Sequence, residues 1–400
     1  MSGRIGVWTI GAFGGVAATV AVGLAAISRG LVESTALVSA LPEFNKVPLA
    51  GLEDFVLGGH EIRETTLVDA ARRLAVESRA FELRLVEQVS GELDGWSKNV
   101  RPGFLWNSGR AIEGIADANF VRRLATPREI IDAMKADIAE FAQQNKLSQV
   151  IVLNLASTEP ACDPALESLD WTAFQRRLVQ KEFAVPASTL FAIAAIESGH
   201  PSINFTPSVG SNLDAIRELA SLKGVCHVGR DGKTGETFLK SVLAPAFAAR
   251  NLNILSWVGH NIFGNMDGLV LDDPNNKSTK VKSKDSLLGN ILGYSPQTHT
   301  SIEYIASLGD WKTAWDHIHF RGFLGTPMIM QFIWQGCDSI LAAPLVIDLV
   351  RFIEVAAKRG EVGEIAWLAS FFKSPQGTAE SEFARQYALL EAWAQQFDSA

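Results

Sequence analysis

The sequence predicts an α/β fold in which a doubly wound parallel sheet is followed by a second, α+β domain. In the first half of the chain, short apolar runs end in polar or glycine-rich loops and alternate with helical patterns. This alternation is typical of parallel strands that are buried on both faces. After Val225 the apolar residues follow a period of two over longer segments, which indicates an antiparallel sheet.

Composition limits the classes of protein to which the chain can belong. Its 400 residues are 47% hydrophobic, enough for a large buried core. The net charge of −8 argues against general binding of nucleic acid, which relies on neutralising phosphates. The 3 cysteines lack metal-like spacing and a disulfide framework, so we expect a reducing, cytoplasmic setting.

The first element is an uncharged run over residues 5–27, which allows two interpretations. The run is long enough to cross a bilayer. It is rich in clustered glycine, however, so we favour a buried strand (Ile5 to Ile10), a glycine turn and a buried helix that begins near Val16. We therefore expect no membrane association.

The glycine turn is a candidate pyrophosphate site of the Rossmann-like type. Glycines let the backbone approach a phosphate at the N-terminus of a helix, where the helix dipole favours negative charge. Glu33 lies near the usual distance for an acidic ribose ligand, but its surroundings do not predict the end of a strand. The next strand is expected only at Asp54 to Leu57, so no ribose ligand is assigned. The turn residues assigned to the cofactor are Gly11, Ala12, Phe13, Gly14 and Gly15.

Two later loops are expected at the same edge of the sheet. Helical patterns cover Leu67 to Val89 and Pro127 to Gln143, and the strand Gln149 to Leu155 follows. Ligands bind at the carboxyl ends of strands in such sheets, and polar loops follow this strand and the segment that begins at Ser202. From these loops we assign four residues to the cofactor site: Ser157, Thr158, Asn204 and Thr206.

The second half contains a helix (Glu236 to Ala249), a strand (Ile254 to Val258) and further strand-like alternation. His317 and His319 would share one face of a strand, but no third metal ligand with suitable spacing is evident. Residues 277–284 hold four lysines in an otherwise acidic chain. By itself such a charge run is typical of a solvated surface loop.

Six segments along the chain form a recognisable set: DGKTGETFLKSVL, GNMDG, STKVKSKD, GDWKTAWD, CDSILAAPL and FFKSP. Together they resemble the myo-inositol-1-phosphate synthase family, also called inositol-3-phosphate synthases. The resemblance covers nearly the whole chain, whose length and INFTPS segment are similar to the shorter archaeal-type members. The turn GAFGG departs from the family's usual GLGG or GWGG followed by Asn.

The resemblance implies conversion of D-glucose 6-phosphate into 1L-myo-inositol 1-phosphate, which is 1D-myo-inositol 3-phosphate. In the family, NAD oxidises C5, the sugar enolises at C6, the enolate attacks the C1 aldehyde and NADH reduces the product. Two alternatives remain open. One is a related NAD-dependent sugar-phosphate dehydrogenase or cyclase with another substrate. The other, a membrane-anchored or non-catalytic binding protein, is disfavoured because it gives the lysines and aspartates no role.

The resemblance also assigns the catalytic residues. Lys280 and Lys312 are expected to transfer protons and stabilise charge around C5, Lys373 to stabilise the C1 oxygen, and Lys284 to bind the substrate phosphate. Three aspartates would orient the lysines and the nicotinamide or bind a divalent or monovalent cation: Asp231, Asp267 and Asp338.

The order of the segments implies three parts and an oligomer. Residues 1–225 would form the NAD-binding domain, 226–334 the catalytic and tetramerisation domain, and 335–400 a segment that returns to the first domain. Family members are generally homotetramers. A lysine-bearing loop that closes over the substrate would exclude water, so we expect residues 275–284 to be mobile without ligand.

Overall fold

The computed structural model describes residues 3–272 and 287–398, which form two β-sheets with helices around them. Their strands are β1 Ile5–Ile10, β2 Phe55–Glu61, β3 Val100–Phe104, β4 Val121–Arg122, β5 Gln149–Asn154, β6 Ser202–Asn204, β7 Cys226–Gly229, β8 Asn253–Phe263, β9 Gln297–Tyr304, β10 Trp311–Arg321, β11 Pro327–Cys337 and β12 Gly363–Glu364. The α-helices with assigned bounds are α1 Gly15–Ser28, α2 Leu67–Arg73, α3 Leu83–Ser97, α4 Arg110–Gly114, α5 Pro127–Asn145, α6 Trp171–Arg177, α7 Ala187–Glu197, α8 Asp214–Lys223, α9 Gly235–Ala249, α10 Met266–Val270, α11 Asp338–Lys358 and α12 Phe383–Ala394.

The first sheet confirms the predicted doubly wound α/β fold. Its strand order is β12-β7-β6-β5-β1-β2-β3-β4, and every pairing is parallel. The chain builds outward from β1 in both directions, so the order reverses between β1 and β5. Ligands of open α/β sheets bind in the crevice outside the strand ends at such a reversal.

Alternation along β1 explains why its sequence is uncharged and largely apolar. Ile5 and Val7 belong to the hydrophobic core on one face of the sheet, and Trp8 and Ile10 belong to the core on the other face. A strand that buries both faces cannot carry polar side chains without hydrogen-bond partners. The uncharged run over residues 5–27 is therefore a buried strand, a turn and a helix.

No helix in the described part of the chain is both long and apolar enough to span a membrane. The run that first suggested a span is interrupted by the turn that separates β1 from α1.

Two of the predicted elements differ from the structure. The helical pattern over Leu67 to Val89 is two helices, because a π-helical turn ends α2 and Arg79 takes a left-handed conformation, with φ of 50°. The second strand continues to Glu61 rather than ending at Leu57. It does so because Gly59 permits a backbone approach that another residue would block: a Cβ there would lie 1.9 Å from the Thr9 oxygen.

The second sheet has four strands in the order β11-β10-β8-β9. The expected antiparallel pairing holds for β10 with its two neighbours, but β8 and β9 are parallel. Strand β8 is also longer than the expected Ile254 to Val258. A parallel pair needs a crossover connection, and this one contains α10 and residues 273–286.

The chain then returns to the first sheet. Helix α11 packs against α1, and β12 pairs with β7. The carboxylate of Asp348 on α11 accepts hydrogen bonds from the backbone nitrogens of Val38 at 2.6 Å and Ser39 at 3.1 Å. The long connection between α1 and β2 is therefore held by the C-terminal part of the chain.

Replacing Gly59 tests the close pairing of β1 and β2. We expect Gly59→Ala to lower the free energy of unfolding by about 1–3 kcal/mol, because the methyl group would collide with the Thr9 backbone oxygen. Gly91 lies on α3, where a Cβ would have no atom within 4 Å, so Gly91→Ala is the matched control and should stabilise by ~0.5–1 kcal/mol. Urea unfolding measures both, and equal midpoints would contradict the β1–β2 register.

Candidate active site

A cavity of about 710 Å³ lies at the carboxyl ends of β1, β2 and β5. The wall opposite these strand ends comes from the second sheet and from the start of α11, so the cavity lies between the two parts of the fold. A space of this size accommodates a cofactor together with a small substrate. Most of the predicted site residues in the described chain line it: Gly11, Phe13, Gly14, Gly15, Ser157, Thr158, Thr206, Asp231, Asp267, Lys312, Asp338 and Lys373.

The glycine turn forms one end of this cavity. Gly11 has a φ of 82°, a left-handed conformation that favours glycine. The backbone nitrogen of Gly14 donates to the Gly11 oxygen at 3.0 Å, so α1 begins directly at Gly15. The first N–H groups of a helix have no partner within it, and here they face the cavity. A Cβ on Gly15 would lie 2.8 Å from Ser339 Oγ, so the wall is close.

The backbone N–H groups of Ala12 and Phe13 donate hydrogen bonds within the protein. Ala12 is buried behind the cavity wall, and its nitrogen donates to the His60 oxygen at 3.1 Å. The nitrogen of Phe13 donates to Glu61 Oε2 at 2.9 Å. Pyrophosphate contacts are therefore expected from the N-terminus of α1 rather than from these two amides.

Glu61 occupies the position where such folds place an acidic ribose ligand. It ends β2, is 3% exposed and lines the cavity beside the glycine turn. Arg63 lies 3.4 Å from its carboxylate. Sequence reasoning missed Glu61 because the strand was expected to end at Leu57, and Glu33 is exposed. The signal that could have found it was an acidic residue directly after an apolar strand that contains two glycines.

The loops after β5 and β6 meet as predicted. Ser157, Thr158 and Thr206 line the cavity. Asn204 has a different role, since its side chain accepts from the Thr206 nitrogen at 3.1 Å and donates to the Ser208 oxygen at 2.7 Å. It is buried and holds the loop that presents Thr206.

A buried carboxyl, Glu159, also borders the cavity. It accepts hydrogen bonds from the backbone nitrogen and the hydroxyl of Ser188, at the N-terminus of α7. Burial raises its pKa to about 7, although these hydrogen bonds act in the opposite direction. The sequence showed only a polar loop here.

Lys373 and Asp231 form a buried ion pair on the cavity wall. Their Nζ and Oδ1 atoms are 2.8 Å apart, and the Lys373 backbone nitrogen donates to the Asp231 oxygen at 2.7 Å. The neighbouring residues Gly232 and Phe372 form an antiparallel bridge. A short backbone connection between two distant segments therefore places Lys373 on the cavity wall.

Lys312 enters the cavity from the second sheet. It is 9% exposed, its Nζ lies 4.0 Å from Asp338 Oδ1, and it is 5.0 Å from the centre of the Phe263 ring. The apolar ring and the carboxylate together keep the ammonium close to the start of α11. Lys312 and Asp338, two of the predicted site residues, therefore lie close together.

The buried carboxylate of Asp310 fixes this region. It accepts from the nitrogen of Ser339 at 2.8 Å, from Asn265 Nδ2 at 3.1 Å and from Cys337 Sγ at 3.0 Å. Burial raises its pKa above the ordinary value. Ser78 Oγ accepts from the Asp310 nitrogen at 3.0 Å, so the π-helical turn after α2 contacts the residue directly before β10, the strand that carries Lys312. Asp310 lies within the GDWK segment but was not singled out.

Asp267 lies across the cavity, where its Oδ1 is 3.3 Å from Thr158 Oγ1. Lys280, Lys284 and the segment 275–284 that is expected to be mobile all lie outside the described residues. Within residues 3–272 and 287–398, no group of three His, Cys, Asp or Glu side chains is arranged to hold a metal ion. His317 and His319 both lie on β10 and belong to no such group among these residues.

Known proteins similar to this chain carry consistent names. Inositol-3-phosphate synthase 1 of Bacteroides thetaiotaomicron is 32% identical over 98% of this chain and 94% of its own length. Inositol-3-phosphate synthase 1 of rice is 30% identical over 78% of this chain, which spans only 62% of that longer protein.

Solved structures show the same fold. The crystal structure of inositol-3-phosphate synthase from Caenorhabditis elegans superposes with a TM-score of 0.89, at 22% identity, over 99% of this chain and 86% of that one. A myo-inositol-1-phosphate synthase-related protein from Thermotoga maritima gives a TM-score of 0.81, at 23% identity, over 98% of both chains.

The family comparison covers nearly the same span as the motifs. The sequence model of the myo-inositol-1-phosphate synthase family matches residues 37–395, which include all six segments. Together with the bacterial relative, this match shows that the chain belongs to the myo-inositol-1-phosphate synthase family.

Proposed function

We propose that the protein converts D-glucose 6-phosphate into 1L-myo-inositol 1-phosphate (1D-myo-inositol 3-phosphate), with NAD as a cofactor that is regenerated in each cycle. One observation supports this most strongly. Lys312 and Lys373, from different parts of the chain, line the same cavity as the glycine turn. A dehydrogenase that only removed hydride would not require ammonium groups on both sides of its substrate.

The residues at the first sheet fit NAD. The N-terminus of α1 offers backbone donors to a pyrophosphate, and Gly11 and Gly15 let the turn pack closely against Ala156 and Ser339. The Glu61 carboxylate would accept hydrogen bonds from ribose hydroxyls, while Phe104 and Ile112 give the adjoining wall an apolar surface for the adenine. When bound, NAD would supply a hydride acceptor and later a hydride donor.

The ammonium groups of this chain would stabilise the charge that develops on the sugar. Enolisation and ring closure place negative charge on sugar oxygens next to a phosphate dianion. Lys312 would donate a hydrogen bond to the C5 oxygen and hold the proton that moves there. Lys373 would donate to the C1 oxygen as the ring closes, while Asp231 keeps its Nζ in place.

The resemblance adds Lys280 and Lys284, with Lys280 beside Lys312 near C5 and Lys284 at the phosphate. Asp267 and Asp338, which both line the cavity, would orient the polar groups around the sugar. A divalent or monovalent cation near these carboxylates is part of the proposal, without an assigned ligand set.

The domain division is also a proposal. Residues 1–225 would bind NAD, 226–334 would supply catalytic and assembly surfaces, and 335–400 would return to the first domain. The return of Lys373 to the cavity and the pairing of β12 with β7 support the last part. The cytoplasmic setting rests on the cysteine pattern alone.

We propose that four copies assemble through the second sheet. Large apolar side chains on the β10–β11 hairpin are strongly exposed: Phe323 and Leu324 are 87% exposed and Ile333 is 68% exposed. Exposed apolar surface of this kind marks an interface between proteins.

Incubation with glucose 6-phosphate and a catalytic amount of NAD tests the function. We expect inositol phosphate to accumulate without NADH, because the hydride removed from the sugar returns to it. Phosphorus NMR identifies the product and absorbance follows NADH. Stoichiometric NADH would instead indicate a sugar-phosphate dehydrogenase, and no turnover would contradict both activities.

Lys373→Ala should lower the rate of product formation roughly 10²–10³-fold, because it removes a donor to a developing oxyanion. It also leaves Asp231 buried beside an empty position, so a loss of several kcal/mol of stability is expected, roughly 3–5. NAD binding by the variant, followed by calorimetry, shows that the fold persists. Lys46→Ala removes an exposed lysine and is the control. Unchanged turnover would remove Lys373 from the site.

Ile333→Glu should break the assembly into smaller species, because it places a charge within an apolar interface. Leu222 on α8 is similarly exposed at 67%, and Leu222→Glu should leave four copies together. Sedimentation velocity measures both variants, and a wild-type protein that sediments as a monomer would contradict the proposal.

A further inference from the structure

Two lysines of one segment are almost completely buried, but they have different partners. Lys240 on α9 is 2% exposed, and its Nζ lies 2.6 Å from Glu236 Oε1. Lys233 is 3% exposed, and its Nζ donates to the neutral side chain of Gln386. Within residues 3–272 and 287–398, no carboxylate lies within ion-pair distance of Lys233.

Such an amine is costly to bury in its charged form. Gln386 satisfies one of its donors, and the Phe383 ring lies 5.9 Å away, but neither offsets a full charge. Burial and the nearby Lys373 lower the pKa of Lys233 to about 7. In the absence of ligand, Lys233 is therefore largely a neutral amine just above neutral pH.

The backbone places this amine behind the catalytic ion pair. The nitrogen of Lys233 donates to the Phe371 oxygen at 2.8 Å, and the nitrogen of Lys373 donates to the Asp231 oxygen at 2.7 Å. Lys233 is therefore part of the same antiparallel connection as Asp231 and Lys373. Lys373 lines the cavity, whereas Lys233 lies in the interior behind it.

The charged groups around Lys233 have opposite effects on its protonation. Lys373 opposes its positive charge, and Glu380, from the loop before α12, favours it. Helix α12 contributes only Phe383 and Gln386 at this point. Asp231 is engaged with the Lys373 ammonium. A new negative charge in the cavity would therefore favour the protonated form of Lys233.

We propose that Lys233 is a positioning residue that acts through Lys373: it takes up a proton from solvent when a dianionic sugar phosphate binds, and places a second positive charge behind the Lys373 ammonium. The chemical step is addition of one proton to the neutral Lys233 amine. This inference rests on the proposed function, since it needs a dianionic ligand in the cavity next to Lys373.

Proton uptake on binding is the direct test. The probe is the reduced, open-chain analogue of glucose 6-phosphate, which lacks the C1 aldehyde and cannot cyclise. It is titrated calorimetrically into the NAD-loaded protein, just above neutral pH, in two buffers with different heats of ionisation. The difference in heat gives the number of protons taken up. The wild-type protein is expected to take up about half a proton more than Lys233→Met.

Two controls separate this effect from a structural one. Lys233→Met should raise the unfolding temperature, since it replaces an amine without a carboxylate partner by an apolar side chain of similar length. The double variant Lys240→Met, Glu236→Gln removes the other buried lysine with its partner, and its proton uptake should equal that of the wild type. If Lys233→Met does not fold, Lys233→Gln is used, which keeps a donor to Gln386.

Equal proton uptake by the wild type and the Lys233 variant would overturn the inference, even if the wild-type protein makes inositol phosphate. Failure of the wild-type protein to bind the analogue would instead count against the proposed function. A lower unfolding temperature for Lys233→Met, with unchanged proton uptake, would identify Lys233 as a purely structural residue.

Discussion

The backbone connection between residues 229–233 and 371–376 is the constraint on which the candidate site depends. It ties the segment after β7 to the segment before α12 through paired hydrogen bonds, and it places Lys373 opposite Asp231. Gly232 makes this close approach achievable, because a Cβ there would lie 2.1 Å from the Phe205 ring. Without this connection, the segment before α12 would contribute no charged group to the cavity.

A second set of hydrogen bonds determines the position of the cavity wall formed by the second sheet and α11. The Asp310 carboxylate accepts hydrogen bonds from Asn265 and from Ser339 at the start of α11. The Asp310 nitrogen donates to Ser78 in the π-helical turn after α2. Lys312 lies near the start of β10, which directly follows Asp310, so these contacts help to position its ammonium. Buried polar networks of this kind specify one arrangement only when each member is satisfied. The distance between the walls is thus set by hydrogen bonds across the two parts of the fold.

The sequence predicted local elements better than long-range contacts. The strand Ile5–Ile10 and the helix that begins at Pro127 were found at the expected residues, because apolar patterns and a Thr126 cap act locally. The pattern over Leu67 to Val89 did not reveal the break at Arg79, since apolar spacing continues across it. Glu61 and Asp310 were missed because their roles come from partners 48 and 29 positions away, Phe13 and Ser339. The resemblance located Lys312 and Lys373, which spacing alone would not have distinguished from surface lysines.

The described lysines of the cavity already have carboxylates near them before any ligand binds. Asp231 holds Lys373, and Asp338 lies at the limit of an ion pair with Lys312. Such pairs add little net stability when buried, since desolvation offsets most of their attraction. Their value is orientation, because each carboxylate fixes the direction of its ammonium. A sugar phosphate that enters the cavity therefore meets charges that are already positioned, and the cost of ordering them is met during folding rather than during the reaction.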